Sequence, residues 1–76
     1  MNQDLIKNPL WTVLVETAKS LPLYKNHKGY TRDRILIDSP TISPEELAFR
    51  LTISLGEAYV ILYEIEVEKQ KIMKND

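Results

Sequence analysis

The chain contains no cysteine, which excludes disulfide staples, thiolate nucleophiles and cysteine metal sites and leaves its stability to packing or self-association. Histidine is nearly as scarce. His27 stands alone in a stretch that reads as an exposed turn, so no metal-ligand spacing and no histidine-centred acid/base pair can be built. Two glycines and four prolines are too few for a flexible linker or a phosphate-cradling loop. Long apolar runs are missing too. Leu10 to Val15 and Ala58 to Tyr63 fall far short of the ~20 residues needed to span a bilayer, and Asp4 and Lys7 flank only Leu5 and Ile6, unlike a secretory leader. These absences predict a cytoplasmic, non-enzymatic single domain over residues 1–76, with no cofactor, no metal, no membrane span and no small-molecule substrate.

What is present is a folding composition, with 43% apolar and 28% charged residues. At 76 residues such a chain buries only ~60% of its unfolded surface, so its stability is marginal. The net charge of −1 hides an uneven distribution. From Lys19 to Arg34 there are five basic residues (Lys19, Lys25, Lys28, Arg32, Arg34) against Asp33; from Pro44 to Glu68 six glutamates face Arg50 alone.

The spacing predicts three helices. Asn8-Pro9 reads as a cap and first-turn proline, after which Leu10, Leu14, Ala18 and Leu21, widened by Trp11 and Val15, form an apolar stripe ending at Pro22. A helix-start signal is then written twice. Ser43-Pro44-Glu45-Glu46 and Ser54-Leu55-Gly56-Glu57 are capping boxes eleven residues apart, with Ile42/Leu47 and Ile53/Ala58 as hydrophobic staples. They predict a second helix from Pro44, burying Leu47, Ala48 and Leu51, and a third through at least Glu66, burying Leu55, Ala58, Tyr59, Ile61, Leu62 and Ile65. Beyond Glu66 the sequence favours continued helix, because Lys69, Lys71 and Lys74 follow the glutamates as the helix dipole prefers. Between Leu23 and Pro40, residues Tyr24, Tyr30, Thr31 and Arg34–Ile37 favour extended structure. The expectation there is a basic hairpin turning at Asn26–Gly29, or a loop ending in one short strand from Arg34 to Ile37.

With the corner placed at Thr52, the segment Glu46–Ser54 followed by Ala58 and Ile61 resembles the helix-turn-helix of small transcription regulators, especially winged helices. Ala48, Leu51, Ile53, Ala58 and Ile61 match the positions that pack the two helices of that family together. The resemblance implies a mainly α fold, three helices with a short strand or hairpin after the first and a winged-helix-like core. Two features depart from the family. Thr52 stands where glycine is usual, so the corner uses another turn or holds strain, and no glycine turn follows Ile65 to form a wing.

The resemblance implies a DNA-associated regulator acting as a dimer. Lys25, Lys28, Arg32 and Arg34 are the candidate phosphate contacts on double-stranded DNA, and Ser54 and Tyr59 the nearest candidates for groove contact. Alternatively the basic segment is a solvated loop, or packs on the glutamates of the third helix in the same chain or a neighbour. Gly56, Val60, Tyr63 and Val67 form a second apolar stripe on the third helix, spaced four, three and four. It is a candidate dimer interface, unless the first helix or the basic segment of the same chain covers it. The competing reading is therefore a protein-interaction or dimerisation module with no nucleic acid.

Overall fold

A computed structural model describes residues 3–74, with side-chain environments from Leu5 to Lys71. The described chain is helical throughout its regular structure. Helix α1 spans Gln3–Lys7 and α2 spans Trp11–Lys19; α3, Tyr24–Tyr30, passes through a π-helical turn, Thr31–Ile35, into the single turn α4, Leu36–Asp38. Helix α5 is Pro44–Leu51, and α6 is the 20-residue helix Leu55–Lys74. The predicted first, second and third helices are α2, α5 and α6.

The double start signal forms, but only half of each box closes. Ser43 Oγ accepts the Glu46 N–H at 3.1 Å and Ser54 Oγ accepts the Glu57 N–H at 3.0 Å, so each serine caps its helix. The glutamates turn elsewhere. Glu46 lies 3.5 Å from Arg50 along its own helix, and Glu57 reaches a residue of α3. Between the two helices, Thr52 adopts φ 55° and ψ 46°, a left-handed conformation and the single positive-φ residue described. Its N–H donates to the Phe49 carbonyl and the Ile53 N–H to the Ala48 carbonyl, a complete Schellman closure of α5 built without glycine.

The expected hairpin or strand between α2 and α5 is replaced by helix. No strand is present among the described residues, and the winged-helix arrangement is not formed. The reason is tertiary. Tyr24, Thr31 and Ile35 are all buried against the rest of the fold, and they reach one side only because the chain is helical. The Thr31 hydroxyl donates to the His27 carbonyl at 2.7 Å, a back-bond that favours bending. The π turn is closed by the Leu36 N–H donating to the Thr31 carbonyl.

Helix α6 is the pillar of the fold, with α2, α3 and α5 packed around it. Ala58, Val60, Ile61 and Ile65 of α6 join Leu47 of α5, Trp11 and Ala18 of α2, and Tyr24 and Ile35 in one core. Three expected core positions lie outside it. Leu55 at the start of α6 is exposed, and so are Leu10 and Leu21 on the predicted first-helix stripe, where Trp11 instead turns inward and meets the Tyr63 ring edge-on at 5.1 Å. That rotation of α2 places Ala18 inside and Leu10 outside.

Candidate functional site

Glu57, Glu64 and Glu68 recur at seven and four residues on α6, and this stripe faces α3. There it meets Tyr24, His27 and Lys28, which share one side of α3 for the same helical reason. The Tyr24 hydroxyl donates to Glu64 Oε1 at 2.5 Å, Lys28 Nζ lies 3.4 Å from that oxygen and 2.5 Å from Glu68 Oε2, and Lys19 of α2 reaches Glu64 Oε2 at 3.3 Å. One carboxylate thus ties three helices together. His27 Nδ1 donates to Glu57 Oε2 at 2.7 Å, and Glu57 is buried. No buried side-chain nitrogen or oxygen lacks a partner among the described residues, which is the condition for such a network to stabilise rather than strain a fold.

The titration of these groups follows their surroundings. Burial alone would raise the Glu64 carboxyl, but hydrogen bonds from Tyr24 and Lys19 and the charge of Lys28 outweigh it and hold Glu64 below the ordinary glutamate range. Burial and the bond to Glu64 push the Tyr24 hydroxyl far upward, so it stays a donor. For Lys28, burial opposes the charge, yet Glu68 and Glu64 prevail and raise it.

This arrangement corrects several expectations. His27 is no exposed turn residue but a half-buried helical one, and Asn26–Gly29, the expected hairpin turn, lies within α3. Lys28 is committed within the chain, as the reading that packed the basic segment on the third helix anticipated. Lys25, Arg32 and Arg34 are exposed; Arg32 pairs locally with Asp33 at 2.9 Å. Ser54 is the exposed cap of α6, and Tyr59 is half-buried against the core.

The stripe Gly56, Val60, Tyr63 and Val67 is covered largely from within. Val60 is 0% exposed, Tyr63 packs against Trp11, and Leu14 sits so close over Gly56 that an added Cβ would lie 2.8 Å from Leu14 Cδ1 and make that side chain shift. Val67 lies in a groove of about 680 Å³ between α1, the α4–α5 loop and α6, lined also by Ile6, Ile42 and Lys69. From Gly56 to Ile65 no residue of α6 is exposed.

Sequence reasoning did not bring Arg50 and Tyr30 together. With Arg34, Asp38 and Leu51 they line a groove of about 270 Å³ between the π turn and α5. No helix among the described residues is long and apolar enough to cross a membrane, and no group of three His, Asp or Glu side chains there could hold a metal ion. No protein-family model, curated protein or solved structure matches this chain.

Proposed function

We propose that this chain is a non-enzymatic, cytoplasmic interaction domain that binds protein surfaces, and that its α5–α6 corner, although shaped like a helix-turn-helix, is a packing device. The observation that carries this reading is the enclosure of α6: every residue from Gly56 to Ile65 is at least half-buried, so none projects as a reading helix requires. The charge balance supports it. The glutamates of α6 engage Lys28, leaving one cation fewer for phosphate. Large apolar side chains stand in water instead, among them Leu10, Val13, Leu23, Ile37 and Phe49.

A duplex-DNA titration followed by fluorescence anisotropy at low and physiological salt tests the proposal. It predicts no saturable binding below about 100 μM at physiological salt, the range of non-specific contacts. Micromolar or tighter binding with a steep salt dependence would overturn it.

The DNA-associated regulator remains the second reading, favoured by Arg34, Arg50 and Tyr30 sharing one groove. On that reading Arg32→Glu with Arg34→Glu abolishes DNA retention. Unchanged retention in the double variant would refute contact through this segment.

A further inference from the structure

The bond between His27 and Glu57 stands apart from the cluster of donors around Glu64. Glu57 lies in the first turn of α6 with 5% of its side chain exposed, whereas the His27 side chain is 25% exposed. Nδ1 of His27 donates to Glu57 Oε2 at 2.7 Å, so the free lone pair of the ring lies on Nε2. That atom reaches water. It has no hydrogen-bond partner among the described residues, and no side-chain nitrogen or oxygen without a partner is buried there. The one histidine of the chain is thus held in a single tautomer, with one nitrogen engaged and the other open.

Three uses of such a nitrogen compete, and two need more than the fold supplies. A metal ion needs further ligands, and no group of three His, Asp or Glu side chains among the described residues could provide them. A general base needs a substrate held against it, yet His27 lines none of the grooves of about 680, 400 and 270 Å³. Accepting a phosphoryl group asks for position and for stabilisation of charge, and both are built here. Attack through Nε2 puts positive charge on the ring, and the buried Glu57 carboxylate at Nδ1 is placed to hold it.

A surface for the donor surrounds the ring. Leu23 and Tyr30 stand four residues before and three after His27, so both lie beside it on one side of α3, and they are 57% and 54% exposed. The backbone N–H of His27 donates to the Leu23 carbonyl at 2.9 Å, which fixes that stacking. Leu55, 45% exposed, opens the helix that carries Glu57.

We propose that Nε2 of His27 accepts a phosphoryl group from an acyl phosphate borne by a partner protein, with Glu57 as the positioning residue. The Nε2 lone pair forms the bond to phosphorus, the P–O bond to the acyl group breaks, and its electron pair leaves with the carboxylate. No proton leaves the ring, because the one on Nδ1 stays hydrogen-bonded to Glu57. The inference rests on the reading of the chain as an interaction domain, since the donor arrives on a partner's surface.

Phosphoramidate, a small donor that delivers the same phosphoryl group with ammonia as leaving group, tests the site on the full chain, with intact mass and phosphorus NMR as readouts. The folded chain takes up one phosphoryl group, on Nε2 alone, at least about tenfold faster than the chain unfolded in urea, where Glu57 no longer orients the ring. Glu57→Gln keeps an oxygen that accepts from Nδ1 but removes the charge, and it slows uptake at least about tenfold while helicity and Trp11 fluorescence are retained. An adduct on Nδ1 or on both nitrogens, or a folded chain no faster than the unfolded one, overturns the proposal without recourse to a variant. A folded Glu57→Gln that reacts as fast as the wild type overturns it too. None of these results touches the interaction-domain reading, which falls only to tight, salt-sensitive DNA binding.

Discussion

Replacing Thr52 with glycine is expected to stabilise this protein. Thr52 sits at φ 55°, ψ 46°, where an L-residue pays about 1–2 kcal/mol for crowding its Cβ against the following carbonyl. The side chain offers no compensation. It is exposed and makes no hydrogen bond among the described residues, so what holds the conformation is the backbone closure onto Phe49 and Ala48. Glycine removes the crowding but gains about 0.5–1 kcal/mol of unfolded-state freedom. The net gain is about 0.5–1 kcal/mol, or a few degrees in Tm for a domain of this length. Urea and thermal unfolding, followed through the single tryptophan Trp11 and far-ultraviolet dichroism, measure it directly. Thr52→Asn should recover part of the gain, since asparagine tolerates this region, whereas Thr52→Val should recover none. A Thr52→Gly variant less stable than the wild type would refute a left-handed residue at this corner.

Other substitutions probe the core and the network. Leu47, fully buried between α5 and α6, should cost about 2–5 kcal/mol as Leu47→Ala; against a total of about 4–11 kcal/mol expected for this length, denaturant melts should show a much earlier transition. Tyr24→Phe removes a donor to a carboxylate and should cost about 1.5–3 kcal/mol. In a Glu64→Gln background that loss should shrink, so a double-mutant cycle showing no coupling would contradict the bond. Because Glu64 is held below its ordinary value in the fold, the stability it contributes is complete above the unfolded-state value and is lost as pH falls through the lower, folded one. Unfolding free energy should therefore drop on acidification below about pH 4.5, less steeply in Glu64→Gln.

The parts of the fold legible in the sequence are those fixed locally. Ser43 and Ser54 announced α5 and α6 because a cap is a contact within one turn, and the conflict between Thr52 and the corner was visible because positive φ is a property of single residues. Tyr24–Asp38 was not legible. Tyrosine, threonine and isoleucine carry a mild preference for strands, and burial of Tyr24, Thr31 and Ile35 against the rest of the fold outweighs it. The partners of that segment lie thirty to forty residues away, so no window of sequence contained both His27 and Glu57. A signal existed nonetheless. Glutamates at 57, 64 and 68 form one helical stripe, and the tyrosine, histidine and lysine at 24, 27 and 28 form another. In α2 two apolar stripes compete. The size of Trp11 and the smallness of Ala18 decide which turns inward, a choice made by the neighbour and not by the period.

The central claim is that α6 is an enclosed pillar rather than a helix presenting a face. Since the chain has no cysteine, single cysteines placed at Leu55, Val60, Tyr63 and Glu66 can be followed by their reaction with a thiol reagent under native conditions. The account predicts rapid labelling at 55 and 66 and labelling at least about a hundredfold slower at 60 and 63, where reaction must wait for the fold to open. Fast labelling at 60 and 63 in a variant that keeps its helicity would mean that this face is open, and the account would be wrong.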